Sequence, residues 1–300
     1  MATVAIIGPG AIGGAFGGAL LEAGHTVLAA TRTPFETLRV EHPRGRIEGR
    51  VAMLDLDSAT TCSFVVLATK AHQTDSAGRW LAALCGPRTV LTVLHNGVEH
   101  LERVAPLVHP AVEIVPAMVA CPSERRGPGV VVVTGPARLE LPESDAARHF
   151  AALFATSYAE VRTVVDWQSA AWRKLVLNAA GGGIGTITRR GNEVLRDPVL
   201  GAWFLAIAAE VVAVGRAEGA RLADDVPDRT LDALRSASHS HLPSIVVDRL
   251  ASRPTEWQAR NEVVVRKARI HGIAVPNNEL LVALLRAGEP SPHQEPHPND

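Results

Sequence analysis

The stretch that decides the fold is Val4-Ala5-Ile6-Ile7-Gly8-Pro9-Gly10-Ala11-Ile12-Gly13, near the start of a 300-residue chain. Its β-branched run predicts a strand that stops at Gly8, and Ala11 to Gly24 has helical composition with a glycine suited to the helix end. A G-x-G-x-x-G pattern between strand and helix provides a tight turn, close approach of the backbone to a pyrophosphate and close helix packing. We therefore predict a dinucleotide-binding turn, formed by Gly8, Gly10, Ala11, Ile12 and Gly13, rather than a merely Gly-rich packed turn.

Further strand patterns follow this turn through the first half of the chain. Short apolar runs alternate with helix-like segments, which is typical of a parallel sheet in an α/β domain. The predicted strands are Thr26 to Thr31, Phe64 to Ala68, Val90 to Leu94 and Ile114 to Val119. Val130 to Thr134 and Arg138 to Leu141 predict a hairpin appended to that sheet, and Val161 to Val165 predicts one more strand.

After Asp166 the strand signals stop and helical patterns replace them. The predicted helices are Trp167 to Ala180, Pro198 to Glu218, Pro227 to Ser236, Ser244 to Ser252, Thr255 to His271 and Asn277 to Ala287. We therefore predict an α/β protein with an N-terminal Rossmann dinucleotide-binding domain over residues 1–166. An all-helical C-terminal domain for substrate binding or dimerisation follows over 167–288, and the polar, Pro- and His-rich residues 289–300 predict a disordered tail.

Composition excludes several classes of partner. With 20% charged residues and a formal net charge of −1, the chain has no electrostatic attraction to nucleic acid. It shows neither a basic N-terminal leader nor a run of 18 uncharged apolar residues, so we expect a cytoplasmic protein that binds no membrane. Cys62, Cys85 and Cys121 include no CxxC pair, and the close pair His239 and His241 has no further ligands nearby, so we expect neither disulfides nor a metal site.

The end of the second predicted strand indicates the choice of cofactor. A site that prefers NAD places Asp or Glu there to bind the ribose 2′-hydroxyl, whereas this strand ends in Ala30-Thr31-Arg32-Thr33. The guanidinium of Arg32 suits a 2′-phosphate, and no carboxylate repels one. We predict NADP (NADPH) as the cofactor; the alternative is a solvated Arg32 and relaxed cofactor choice.

Two polar positions follow other predicted strands. Lys70 follows Phe64 to Ala68, and Asn96-Gly97 follows Val90 to Leu94. Ligands of open α/β sheets bind at these carboxyl ends, so we expect Lys70 and Asn96 to border the nicotinamide. Taken singly, Lys70 also fits a surface residue, and Asn96-Gly97 also fits a turn.

Lysine is rare in this chain, which makes its positions informative. Of the thirty Lys and Arg residues only three are lysine, and Lys174 is one of them. Arg stays protonated in proteins, whereas a lysine can lose its proton. Lys174 and Asn178 are four residues apart and share a predicted helix face, so they can meet one ligand in a cleft, where partial burial suits an ammonium to proton transfer. The alternative is an ordinary solvated helix face.

The start of the helix after Thr255 offers a carboxylate. Thr255-Glu256-Trp257-Gln258 fits a capping box, which places Glu256 in the first helical turn. The helix dipole favours a carboxylate there, so Glu256 can also serve stability alone. A role in catalysis requires Glu256 to point into the cleft and pair with Lys174 or a substrate hydroxyl.

In this order, and nearly from end to end, these motifs resemble the ketopantoate reductase family, the NADPH-dependent 2-dehydropantoate 2-reductases. The residues that carry the resemblance are Gly8-Pro9-Gly10-Ala11-Ile12-Gly13, Thr69-Lys70-Ala71-His72-Gln73, Leu94-His95-Asn96-Gly97, Trp172-Arg173-Lys174-Leu175 with Asn178, Pro254-Thr255-Glu256 with Asn261, and His271-Gly272-Ile273-Ala274-Val275-Pro276. The single motifs are modest, whereas the series is specific.

The resemblance implies a reaction and roles for residues. Hydride would reach the 2-keto carbon of the substrate, and Lys174 would protonate the developing alkoxide as general acid. Glu256 would hold the substrate hydroxyl and help to orient Lys174, while Asn178 and Ser244 would bind substrate.

On the cofactor side, the same resemblance implies that Asn96 and Lys70 lie near nicotinamide and substrate, and that Arg32 binds the 2′-phosphate. The substrate is expected to be a small 2-keto acid.

The apolar helix around Ala202 to Val214 is interpreted as domain core; the alternative is the seam of a homodimer.

The chain departs from the family around the substrate. After Asn178 the family carries an Asn-Pro-containing segment, whereas this chain has Gly181-Gly182-Gly183-Ile184-Gly185, which supplies no side-chain donors and adds backbone freedom. Pro243-Ser244-Ile245 replaces a Ser-Ser pair before a Met, His241 stands where an Asn ligand is common, and Glu262 replaces a Gly.

Three functional hypotheses follow. The first is NADPH-dependent reduction of 2-dehydropantoate to pantoate, with the proton from Lys174. The second is reduction of a different 2-keto acid or carbonyl compound, suggested by the departures. The third is a non-catalytic NADPH sensor, which retention of Lys174, Asn178 and Glu256 disfavours.

Overall fold

The computed structural model describes residues 1–237 and 242–290. The departure at His241 and the predicted tail beyond Pro290 lie outside the described residues. The chain forms two compact units, Met1–Trp167 and Gln168–Asp300. The domain boundary expected after Asp166 lies one residue before this division.

Strands predominate in the first unit. They are β1 (Thr3–Ile7), β2 (Thr26–Ala30), β3 (Thr37–His42), β4 (Gly45–Arg50), β5 (Ala52–Met53), β6 (Phe64–Leu67), β7 (Val90–Val93), β8 (Glu113–Pro116), β9 (Met118–Ala120), β10 (Ser123–Gly127), β11 (Val130–Val133), β12 (Arg138–Pro142) and β13 (Glu160–Val164). The helices between them are α1 (Ala11–Glu22), α2 (Gly78–Leu84), α3 (His100–Val104) and α4 (Asp145–Ala152).

A six-stranded parallel sheet organises this unit. Its order is β5-β2-β1-β6-β7-β8, which is the 3-2-1-4-5-6 order of the Rossmann fold when these strands are numbered along the chain. Val4 and Ile6 of β1 join one apolar cluster with α1 and α4, whereas Ala5 and Ile7 join a second cluster with α2. Burial on both faces explains the apolar strand runs and confirms the predicted fold class.

Two smaller sheets correct the sequence-based topology. Their orders are β10-β11-β3-β4 and β13-β12-β9. The predicted hairpin is wrong, because β11 pairs with β10 and β3 whereas β12 pairs with β13 and β9. The predicted strand Ile114 to Val119 divides into β8 and β9, which belong to different sheets. The strands β3, β4 and β10 of these sheets, and β5 of the larger sheet, were not predicted.

The described part of the second unit is helical, as predicted. Its α-helices are α5 (Trp167–Val176), α6 (Gly183–Thr188), α7 (Pro198–Ala217), α8 (Val226–Ser236), α9 (Ser244–Leu250), α10 (Val263–His271) and α11 (Pro276–Ala287), the first of which begins at the unit boundary. Two π-helical segments, Leu177–Gly182 and Gln258–Glu262, precede α6 and α10. The predicted single helices at these two places are therefore each interrupted.

The apolar helix α7 packs within this unit. In the described residues it is the one helix whose length and composition would allow it to cross a membrane, with 44% of its most apolar window buried. It contacts α8, α10 and α11. Its Glu210 accepts hydrogen bonds from the backbone and side-chain amides of Asn277 and Asn278, at 2.7–3.0 Å, and so caps α11. These contacts place one face of α7 against the other helices of the unit.

Candidate active site

The predicted phosphate-binding turn follows β1 directly. Gly8 has φ +82°, and its N–H donates to the carbonyl of Ala30 at 3.0 Å, which fixes the turn against β2. A Cβ on Gly13 would lie 2.5 Å from the Gly8 carbonyl oxygen and 2.9 Å from Cβ of Ala68, so only glycine lets α1 approach the sheet this closely. The first and third glycines thus meet the demands that the pattern predicts.

The second glycine leaves open space. A Cβ on Gly10 would have no neighbour nearer than 4.0 Å, so the backbone there is open to a ligand. Among the described residues no side chain caps α1, and its first turn carries no acidic residue. Its N–H groups and positive dipole end therefore suit an anion such as a pyrophosphate, and the residues of the turn, Ala11 and Ile12 included, fit a dinucleotide.

Three further predicted residues follow other strands of the same parallel sheet. Arg32 is exposed just after β2, Lys70 is half-buried after β6, and Asn96 is half-buried after β7. Because β2, β1, β6 and β7 are adjacent and parallel, these residues lie along the same carboxyl edge of the sheet as the turn. The structure therefore brings the predicted cofactor residues to one edge.

The loops after β6 and β7 are bonded to each other through residues that the sequence did not single out as functional. Thr69 Oγ1 lies 3.4 Å from Nε2 of His95, and the carbonyl of His95 accepts from Nε2 of His100 at 2.9 Å. Both histidines are buried. His95 directly precedes Asn96 and belongs to the motif Leu94-His95-Asn96-Gly97, whereas His100 lies outside that motif and contacts the loop through the His95 carbonyl.

In the helical unit, Lys174 and Asn178 have similar exposure, which fits the shared face that their spacing predicts. Both are half-buried, whereas the intervening Leu177 is exposed. Lys174 lies in α5, and the π-helical segment begins at Leu177, so the helical register changes between the two residues. Such π-bulges occur frequently at functional sites.

The glycine run after Asn178 does not provide flexibility. Gly182 and Gly183 both have φ −63°, ordinary helical values, and the run is buried. A Cβ on Gly181 would lie 2.8 Å from Leu234 Cδ1, and one on Gly183 2.6 Å from Leu281 Cδ2. The prediction of added backbone freedom is therefore wrong, because these glycines allow close helix packing.

The capping box predicted at Thr255 is not formed. The helix begins at Trp257, and Thr255 donates its hydroxyl to Oε1 of Glu289 at 2.5 Å and its N–H to Oε2 at 3.1 Å. Glu256 therefore precedes the helix instead of lying in its first turn. Glu289, which the sequence places in the tail, fixes the backbone beside Glu256.

Glu256 is buried beside a cation that sequence reasoning missed. Its Oε2 lies 3.7 Å from Nη2 of Arg260, and the two side chains are only 4% and 3% exposed. The same Nη2 donates to Oγ of Ser244, the first residue of α9, at 2.9 Å. Burial lowers the pKa of Arg260, while the charges of Glu256 and Asp248 oppose that shift. The i,i+4 spacing from Glu256 was the available signal, but it suggests a surface pair.

A buried hydrogen bond joins the two π-helical segments, which closely follow Lys174 and Glu256 in the chain. Nδ2 of Asn261, in the π-helical segment after Glu256, donates to the carbonyl of Ala179 at 2.9 Å. Asn261 is fully buried, so the bond is protected from water. The relative position of the two π-helical segments is therefore fixed.

The cysteines are not candidates for chemistry. Burial raises the pKa of Cys85 to about 12 and that of Cys121 to about 11, which keeps both as thiols at neutral pH. All three cysteines are unpaired by disulfides. Over residues 1–237 and 242–290, no group of three or more His, Cys, Asp or Glu side chains is placed to hold a metal ion.

The chain is similar, over nearly its whole length, to proteins of one known family. Residues 4–146 match the family described as Ketopantoate reductase PanE/ApbA, and residues 166–289 match its C-terminal family. The chain is 41% identical to a 2-dehydropantoate 2-reductase of Caulobacter vibrioides, over 96% of this chain and 99% of that protein. It is also 41% identical to one of Mycobacterium tuberculosis, over 97% and 100%. A solved PanE/ApbA family ketopantoate reductase of Ralstonia eutropha is 30% identical, with a TM-score of 0.85 over 95% of this chain and 98% of that one.

Proposed function

The chain belongs to the ketopantoate reductase family, and we propose that it reduces the 2-keto group of 2-dehydropantoate to give pantoate, with NADPH as reductant. Membership makes it a pyridine-nucleotide-dependent oxidoreductase; the substrate and the preference for NADPH are the proposal. The observation that carries it is the single sheet edge that holds the glycine turn, Arg32, Lys70 and Asn96. Arg32 supports NADPH because no carboxylate stands at the end of β2.

Bound at this edge, NADPH would supply the hydride. Lys174 would donate a proton from Nζ to the substrate oxygen as negative charge develops there. Glu256 would accept a hydrogen bond from the substrate hydroxyl, and Asn178 and Ser244 would bind the remaining polar groups. The bond from Asn261 to the carbonyl of Ala179 supports this assignment, because it joins the π-helical segments that closely follow Lys174 and Glu256 in the chain.

The test is oxidation of NADPH, followed by absorbance, with 2-dehydropantoate and a small panel of 2-keto acids. We expect efficient turnover of 2-dehydropantoate and a lower kcat/KM with NADH. Efficient turnover of a different 2-keto acid would replace the substrate and support the second hypothesis. Tight NADPH binding without turnover of any compound would support the sensor hypothesis.

Replacement of the proposed general acid gives the largest expected effect on turnover. Lys174→Ala should lower kcat by roughly 100-fold or more with NADPH affinity kept, since general acid catalysis is worth about that much. Lys174→Arg should not restore it, because a guanidinium does not release its proton. Lys267→Ala is the control, since Lys267 pairs with Glu218 at 2.6 Å and should leave kcat unchanged. An Arg variant with near-normal kcat would exclude the assignment.

The proposed function also bears on where the protein works and how it assembles. We place the enzyme in the cytoplasm, since pantoate production is a soluble biosynthetic step in this family. A homodimer is a possible assembly, which light scattering on the purified protein tests: a mass near 32 kDa, that of one 31.8 kDa chain, would contradict it.

A further inference from the structure

Arg260 is a buried cation whose partners balance it only in part. Its side chain is 3% exposed, and its ion-pair distance to Glu256, 3.7 Å, is too long for a direct hydrogen bond. Among the described residues, Nε of Arg260 has no hydrogen-bond partner. A buried guanidinium held so loosely is expensive for stability alone, which suggests a functional reason for it.

The bond between Arg260 and Ser244 has only one possible direction. A guanidinium carries donors and no acceptor, so Oγ of Ser244 must accept the 2.9 Å bond from Nη2. The hydroxyl hydrogen of Ser244 is then available for another acceptor. Because Ser244 is exposed at the start of α9, that acceptor can belong to a ligand.

Arg260 makes Ser244 a hydrogen-bond donor, and its positive charge makes Glu256 a hydrogen-bond acceptor. An ionised carboxylate accepts hydrogen bonds and donates none. A cation 3.7 Å away stabilises that ionised form in a buried site. Asp248 on α9 also faces Arg260, but it is paired with Arg253 at 3.1 Å.

The space beside Arg260 is bounded by the glycine run. A Cβ on Gly182 would lie 3.8 Å from Nη1 of Arg260 and 3.2 Å from Cγ2 of Ile245. The segment that supplies no side-chain donors of its own is therefore next to a residue that supplies several. Arg260 can replace donors that the segment lacks.

We propose that Arg260 is a positioning residue for the substrate, which holds Ser244 as a hydrogen-bond donor and Glu256 as an ionised acceptor. This arrangement selects a substrate with an anionic oxygen for Ser244 and a hydroxyl for Glu256, that is, a hydroxylated 2-keto acid. The inference rests on the proposed function and adds to it the residue that sets the polarity of the site.

Two substitutions separate the two effects of Arg260. Arg260→Gln removes the charge and keeps a donor, whereas Arg260→Lys keeps the charge and loses the planar fork. Both should raise KM for 2-dehydropantoate about 10- to 100-fold with NADPH affinity unchanged, since a charge-assisted bond is lost or weakened. Only Arg260→Gln should also move the acidic limb of the kcat/KM profile to higher pH, because the positive charge that lies 3.7 Å from Glu256 is then removed.

The control is Arg229→Gln, which removes an exposed i,i+4 pair with Asp225 and should change neither KM nor the pH profile. An unchanged KM in Arg260→Gln, or the same pH profile in the Gln and Lys variants, would overturn the inference. If the wild-type chain reduces no 2-keto acid, the proposed function fails separately. Calorimetric titration with pantoate then decides on Arg260: equal affinity of wild type and Arg260→Gln overturns its role, and weaker binding by the variant supports it.

Discussion

Gly8 to Gly13 and Gly181 to Gly185 are both glycine-rich, yet only the first stretch uses the conformational freedom of glycine. In the turn, Gly8 has a positive φ and Gly10 leaves the backbone open to a ligand. In the helical unit, the glycines keep helical dihedrals and bring neighbouring side chains within reach of the backbone. The comparison teaches that a glycine pattern identifies a ligand site only together with the elements that flank it.

The largest expected effect that sharpens this comparison lies within the turn. Gly10→Ala should fold normally but weaken NADPH binding about 100-fold, because its Cβ enters space that the pyrophosphate needs. Gly13→Ala should weaken NADPH binding and also lower the free energy of unfolding by about 1–3 kcal/mol, because its Cβ meets backbone at 2.5 Å. Fluorescence titration and thermal unfolding measure the two quantities. Equal melting temperatures for both variants would contradict the distinction.

The second effect lies in the helical unit. Gly183→Ala should lower the free energy of unfolding by about 1–3 kcal/mol, since its Cβ would overlap Leu281. Gly182→Ala is the matched control, because its nearest neighbour, Cγ2 of Ile245, is farther away at 3.2 Å and alanine favours the helix by up to about 1 kcal/mol. Urea unfolding compares them. A Gly183→Ala variant of normal stability that binds NADPH poorly would break the comparison.

Local signals explain what the sequence could predict. The turn, β1, α1 and the ends of β6 and β7 were predicted because apolar runs and glycines mark them directly. The hairpin failed because Gly135-Pro136 marks a turn without specifying which strands pair. The strand β4 carries charged, largely exposed residues and few apolar ones, so it was not recognised.

Arg260 was missed for a different physical reason. A guanidinium four residues after a carboxylate is usually a solvated helix pair. Its burial arises from contacts with α9 and the glycine run, which are 16 and 78 residues away along the chain. Contacts between segments so far apart in the chain leave no local sequence pattern, whereas the contacts of a βα turn are made within the motif itself.

The smallest expected effect concerns a third use of glycine, in α1, and depends on pH. Gly18 lets β3 approach α1, since its Cβ would lie 2.5 Å from Val40 and 3.3 Å from the hydroxyl of Tyr158. Tyr158 donates to the carbonyl of Ala15 and stacks on His42 with 4.0 Å between the ring centroids. The corresponding neighbours of Gly181 and Gly183 in the helical unit include Leu234 and Leu281, whose side chains do not titrate.

Burial lowers the pKa of His42 below its ordinary value near 6.5, although the charge of Glu22 opposes that shift. The folded chain then binds fewer protons than the unfolded one, so the stability contributed by neutral His42 is complete above pH 6.5 and is lost as the pH falls below it. The slope is at most about 1.4 kcal/mol per pH unit, the value for one proton. His42→Phe keeps the stacking on Tyr158 and should remove this dependence, whereas His149→Gln, at an exposed position of α4, should keep it. Thermal unfolding between pH 5 and 8, roughly the range over which histidine titrates, compares the variants. An unchanged slope in His42→Phe would show that another group titrates. The contact made possible by Gly18 would then be as insensitive to pH as the contacts made by Gly181 and Gly183.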